Sequence, residues 1–129
     1  MNAQENKTAL IVEDELLIVL ELEETLQELG YDEVVTFSEV DPTMSWLRCV
    51  IPDIAIIDYH LKGEIADDLI QALAGLDIPT VIYSGRSLDL DADSDILRAC
   101  EWLTKPADER MLATAIARAC GLAEPATAR

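Results

Sequence analysis

The sequence predicts one α/β domain built on a parallel, doubly wound sheet, and three observations carry that prediction. Short apolar runs of strand length alternate with segments whose apolar residues recur at helical spacing, and the joins between them are brief. Two of the runs, residues 9–12 and 54–57, are apolar at every position, which suits strands covered by helices on both faces. Acidic residues stand directly after both runs: Glu13 and Asp14 after the first, Asp58 after the second. Residues just past the carboxyl ends of neighbouring parallel strands share one crevice, so the pattern that predicts the sheet also predicts a site.

Taken in order, residues 8–13 form the first strand. From Glu15 the positions Val19, Leu22, Leu26 and Leu29 make a helical stripe, and Gly30 stands where a left-handed cap ends such a helix. Residues 33–36 are a second strand, placed at a sheet edge by its brevity and flanking acids. Val40, Met44 and Leu47 share the face of a second helix, with Asp41 as its cap and Pro42 as its first residue. Pro52 and Asp53 open the third strand, residues 54–58. Ile65, Leu69 and Leu73 give a third helix ending near Gly75, and Pro79 precedes the fourth strand, residues 80–84.

Residues 86–99 carry no 3.6-residue stripe, and aspartates at 89, 91, 93 and 95 are poor interior helix formers. Residues 101–104 are the fifth strand, and Leu112, Ala115, Ile116 and Ala119 form the buried face of the last helix. Flexible ends at 1–7 and 121–129 flank a folded domain spanning 8–120. The aspartate run is no EF-hand, because Ser94 stands where that loop needs glycine and Cys100 where it needs glutamate.

Composition narrows the function. With 129 residues, 50% hydrophobic and 27% charged, the chain is long enough for one globular core and no second module. A formal net charge of −17 speaks against direct nucleic-acid binding, which needs a basic footprint, and against anionic membranes. No signal peptide or membrane span is legible, so a cytoplasmic location is expected. Cys49, Cys100 and Cys120 are odd in number, widely spaced and set among apolar residues, which reads as reduced core thiols.

Glu13, Asp14 and Asp58 in one crevice would repel strongly unless a cation joined them. A hard divalent cation such as Mg²⁺, which takes oxygen ligands and keeps several waters, answers that need. A spare carboxylate beside it is a place to put a phosphoryl group. Each residue also has an ordinary reading: Asp14 could cap the first helix, and Ser84-Gly85 could be a simple turn. Lys105 could be a loop cation, although an ammonium aimed at three acids would neutralise an empty site.

Glu13-Asp14, Asp58, Ser84-Gly85 and Lys105-Pro106, each at a strand end and in this order, resemble the receiver domain of bacterial two-component response regulators. The resemblance spans residues 8 to about 120 and implies a five-stranded flavodoxin-like, CheY-like sheet of order 2-1-3-4-5. It implies that Asp58 is the phospho-acceptor, forming an aspartyl phosphate at the expense of a phosphohistidine. It implies Mg²⁺ held by Asp14 and Asp58, by Glu13 mostly through water, and by the backbone carbonyl of His60. Lys105, the Ser84 hydroxyl and the N–H groups of Tyr59 and Gly85 would bind the phosphoryl oxygens. Partners would be a sensor histidine kinase or histidine phosphotransfer protein and a downstream protein target.

His60, the only histidine, is expected to be a bystander or to tune phosphate lifetime together with Arg86, and not to carry phosphate itself. The family has Tyr or Phe three residues before the lysine; here Trp102 stands there, which puts the usual ring swing in doubt or makes it a plain core residue. Residues 79–86 keep the Pro, Ser/Thr and Gly spacing of a single-domain subgroup with a Phe-Ala-Thr-Gly-Tyr stretch, but read Ile82-Tyr83-Ser84-Gly85-Arg86 there.

The expectation is a stand-alone receiver in a phosphorelay, signalling by protein contact or acting as a phosphate shuttle or sink. It would catalyse only its own phosphorylation and slow dephosphorylation. The rival is a phosphorylation-independent pseudo-receiver adaptor, which the intact acids, Ser84 and Lys105 disfavour. A haloacid dehalogenase-type phosphatase would need aspartate where His60 stands.

Overall fold

The computed structural model describes residues 6–89 and 94–122. Of the expected flexible ends at 1–7 and 121–129, residues 1–5 and 123–129 lie outside the described residues, as does the centre of the aspartate run at 90–93. Strands β1 (Thr8–Val12), β2 (Glu33–Phe37), β3 (Ile54–Ile57), β6 (Thr80–Ser84) and β7 (Glu101–Thr104) form one parallel sheet in the order β2-β1-β3-β6-β7. A short antiparallel pair, β4 (His60–Leu61) and β5 (Glu64–Ile65), adds two labels. Without that hairpin the order is the expected 2-1-3-4-5.

Alternation along the strands divides the core into two layers. Ala9, Ile11, Ile54, Ile56, Val81 and Tyr83 face helices α1 (Leu16–Glu28) and α5 (Glu109–Ala119). Leu10, Val12, Ala55, Ile57 and Ile82 face α2 (Val40–Leu47), α3 (Asp67–Gly75) and α4 (Asp95–Ala99). The strands of the sheet centre, β1 and β3, are buried at nearly every position, as their uninterrupted apolar sequences require. Burying each Leu, Ile or Val there contributes roughly 1.5–3 kcal/mol, so this centre is the rigid frame on which the strand ends sit. No helix among the described residues is long and apolar enough to cross a membrane.

Several expectations are corrected. The α2 cap is Glu39, not Asp41, so Pro42 lies inside the first turn; its missing N–H costs nothing there, because first-turn N–H groups lack an intrahelical acceptor. Ile65 is not on α3: it ends the hairpin, 54% exposed, and α3 is buried through Leu69, Ile70 and Leu73. Leu29 follows α1 and is partly exposed, while Gly30 takes the expected positive φ of 101°. Ala119 is only half-buried, and Ala117 shares the α5 core face with Leu112, Ala115 and Ile116.

The three cysteines are free but are not core thiols. Cys49 is exposed, Cys100 and Cys120 half-buried, because each stands just beyond a helix end and not on its inner face. Among the described residues of 86–99, which lack a helical stripe, the one helix is the five-residue α4, started by the Ser94 side chain accepting the Leu97 N–H.

Candidate functional site

Parallel pairing brings the carboxyl ends of β1, β3, β6 and β7 to one edge. Backbone bonds carry the ladder one residue further. The Glu13 N–H donates to the Phe37 carbonyl (3.0 Å), the Asp58 N–H to Val12 (2.9 Å) and the Lys105 N–H to Ser84 (2.7 Å). Glu13, Asp58 and Lys105 therefore leave their strands with fixed backbones.

Their side chains meet. Lys105 Nζ lies 3.1 Å from Glu13 Oε1, 3.2 Å from Asp58 Oδ2 and 3.9 Å from Glu15 Oε1. Glu13 is only 2% exposed and Asp58 7%. Asp14, by contrast, is exposed, and its Oδ2 accepts the Lys62 N–H at 3.1 Å from the hairpin. Lys62 holds positive φ at 49° and Gly63 at 83°, which turns the hairpin back over the crevice. The His60 N–H donates to Asp58 Oδ1 (3.2 Å), and the Ser84 hydroxyl, fully buried, accepts the Arg86 N–H (3.2 Å).

The electrostatics leave the site short of positive charge. Burial pushes the Glu13 carboxyl above its ordinary value of 4.5; Lys105 opposes this, and the Asp58 charge adds to it. Burial would lower the Lys105 ammonium, but its close approach to the Glu13 carboxylate, and then to that of Asp58, outweighs that and raises it. One oxygen stays unsatisfied. Glu13 Oε1 is buried without an aligned hydrogen bond, so its 3.1 Å approach to Lys105 is charge contact alone. Carboxylate oxygens of Glu13, Asp14 and Asp58 lie within 4.8 Å of one another. Three hard oxygen donors, one of them orphaned, fit a divalent cation such as Mg²⁺.

Around this centre runs an aromatic and cationic wall. The Arg86 guanidinium carbon lies 5.1 Å from the Tyr59 ring centre and 4.9 Å from that of Trp102. The Trp102 indole N–H donates to the Arg86 carbonyl (2.9 Å), and the Tyr59 hydroxyl donates to Asp67 Oδ1 (2.9 Å). Trp102 is thus neither a plain core residue nor a loose ring, since it ties β7 to the loop after β6. The His60 imidazole is exposed and packs edge-on to Tyr59 at 5.0 Å.

Two features escaped the sequence reading. Leu16, Leu17 and Leu20 of α1 are 69%, 76% and 51% exposed beside the crevice. Their signal was present, because the apolar run 16–20 is wider than one helix face and the stripe through Val19, Leu22 and Leu26 leaves them over. Tyr83, beneath Lys105, was passed over as a strand residue although it alternates onto the α1 and α5 side.

No family model matches the chain, and no curated protein sequence matches it. Solved structures do. SdrG from Sphingomonas melonis Fr1 is 34% identical over 88% of this chain and 96% of its own, with a TM-score of 0.75. The receiver domain of the response regulator PhyR from Erythrobacter litoralis is 26% identical over 96% of this chain and 97% of its own, TM-score 0.75. The chemotaxis response regulator CheY4 of Vibrio cholerae, 19% identical over 89% of this chain and 99% of its own, has the same fold at a TM-score of 0.76. With its strand order and its acidic crevice, the chain belongs to the CheY-like response regulator receiver family.

Proposed function

We propose that this receiver accepts a phosphoryl group on Asp58 and passes the signal on by protein contact, or hands the phosphate to another carrier. The observation that carries this reading is Lys105 Nζ set between buried Glu13 and Asp58, with Ser84 ending the adjacent strand. An Asp58 oxygen attacks phosphorus, the P–N bond of a donor phosphohistidine breaks, and the electron pair stays on the imidazole nitrogen, which takes a proton. The product is an acyl phosphate. Lys105, the Ser84 hydroxyl and the N–H groups of Tyr59 and Gly85 bind the phosphoryl oxygens. Asp14, Asp58, the His60 carbonyl and, through water, Glu13 would hold Mg²⁺, which supplies charge neutralisation on those oxygens. Incubation with Mg²⁺ and acetyl phosphate, or with a histidine kinase, should add one phosphoryl mass on the Asp58 peptide, lost in EDTA. Modification mapped to His60, or none with either donor, contradicts the reading.

A donor must present its histidine at the crevice, so its carrier sits on the rim where Leu16, Leu17 and Leu20 are exposed. Glu15, Glu21, Glu23 and Glu24 surround these leucines, which suits an apolar helix with basic flanks on a histidine kinase or phosphotransfer protein. Leu17→Glu should slow transfer from such a partner by about tenfold or more, the loss expected for one buried anchor. Phosphorylation by acetyl phosphate should not change. Equal loss with both donors would place Leu17 in the fold and not in docking.

The output side is soft. Among the described residues of 86–99 only Leu97 is buried, and α4 is one turn and a half. Amides of 95–99 should exchange much faster than those of α5 before activation, and slow when Asp58 carries beryllofluoride. Protection equal to that of α5 in the unmodified protein would rule this segment out as the mobile element.

A further inference from the structure

The loop that delivers Lys105 has few backbone anchors of its own. Pro106 has no N–H to give. The Lys105 N–H is taken by the Ser84 carbonyl (2.7 Å), and the next amide, Ala107, donates to the Tyr83 hydroxyl (3.1 Å). α5 starts only after the Asp108 cap. Residues 105–107 are therefore pinned at both ends on two successive residues of β6, once by main chain and once by a side chain. The Tyr83 ring also lies under the ammonium, with Lys105 Nζ 5.6 Å from its centre.

We propose that Tyr83 is a positioning residue for Lys105, holding the ammonium at Glu13 and Asp58 before any phosphoryl group arrives. The inference rests on the phosphoryl-acceptor reading above and deepens it. Three facts converge. The ring limits where Nζ can swing, because the cation is attracted to the ring face. The hydroxyl fixes the backbone two residues further on. Tyr83 itself is 6% exposed in the core layer shared with Ile11, Ile56 and Leu112, so its ring has no freedom to follow the loop. An alanine at this position could supply neither contact.

Tyr83 and Ala107 border a cleft of about 410 Å³ between α1 and the start of α5, lined also by Glu21, Thr25 and Asp108 among others. Water from this cleft can reach the Ala107 amide in a Tyr83→Phe protein. That variant keeps the ring, loses only the anchor, and should fold. Tyr83→Leu removes both contacts and keeps an apolar side chain in the core.

Three quantities decide the matter: Ala107 amide exchange, order of the Lys105 side-chain methylenes by NMR relaxation in metal-free protein, and the saturating transfer rate from acetyl phosphate. Tyr83→Phe should speed Ala107 exchange by about fivefold, the worth of one hydrogen bond, and slow transfer severalfold. Tyr83→Leu should loosen Lys105 as well and slow transfer by about tenfold or more, as misplaced catalytic groups do. Mg²⁺ affinity and exchange at the centre of β1 should hold their wild-type values, which a general softening of the core would not allow. A Lys105 as ordered in Tyr83→Leu as in wild type overturns the proposal, as does a transfer loss matched by weaker Mg²⁺ binding and a softer β1. If wild type accepts no phosphoryl group, the acceptor reading fails by itself, and the Lys105 order still decides the role of Tyr83.

Discussion

Asp58→Asn should abolish phosphoryl acceptance without unfolding the protein. The amide that replaces the carboxylate has almost the same volume and keeps an oxygen for the His60 N–H, now 3.2 Å from Oδ1. It has no anionic oxygen to attack phosphorus, so transfer should fall by at least about 10³-fold, below detection in intact-mass experiments. Stability should move the other way. Glu13 and Asp58 repel each other across Lys105, and removing one charge leaves the ammonium to the more deeply buried acid. A gain of roughly 1 kcal/mol in the metal-free unfolding free energy, read from urea denaturation, is expected. A mutant that lost both acceptance and stability would owe its inactivity to misfolding.

Lys105→Met should be the most damaging single change within the crevice to the metal-free fold. It leaves Glu13 and Asp58, 2% and 7% exposed, as like charges with no cation between them. Breaking a buried pair costs about 3–5 kcal/mol when burial is complete, and the 17% exposure of the lysine side chain brings the expectation to about 2 kcal/mol. Mg²⁺ should restore most of the loss, because a cation in the crevice meets the same need. The pH dependence has a definite sign. Lys105 is raised above its ordinary 10.5 in the fold, so its stabilisation is complete below that value and is lost as pH rises through the higher folded value. Wild type should therefore show an alkaline loss of stability above about pH 10.5 that Lys105→Met lacks. Chemical denaturation with EDTA and with Mg²⁺ across that range reads both effects, and identical curves for the two proteins would contradict them.

The fold was legible because its strongest signals are local. The all-apolar strands at 9–12 and 54–57 can exist only where helices cover both faces, and the acids after them can meet only if the strands are neighbours and parallel. Lys105 was legible as a lone cation after the last strand, although its contacts with both buried acids needed the sheet order. What the sequence concealed was set by partners distant along the chain. Ile65 fits a helical stripe with Leu69 and Leu73, yet it pairs with His60 across a two-residue strand that no periodicity can announce. The surplus leucines of α1 lie outside the stripe through Val19, Leu22 and Leu26, and only the packing of the helix shows that they face solvent. Trp102 stood out only against the family's Tyr or Phe, and Tyr83 not at all, because the indole bond to Arg86 and the phenol bond to Ala107 each join different strands and loops.

In the proposed function Asp58, Lys105, Ser84 and the acid pair that follows β1 act as one phosphoryl-accepting centre. A crystal structure of the protein with Mg²⁺ and beryllofluoride tests it most directly. Beryllium should be bonded to an Asp58 carboxylate oxygen, with fluorines contacting Lys105 Nζ and the Ser84 hydroxyl and the cation held by Asp14 and Asp58. Beryllofluoride elsewhere, or a cation bound without Asp58, would contradict the account.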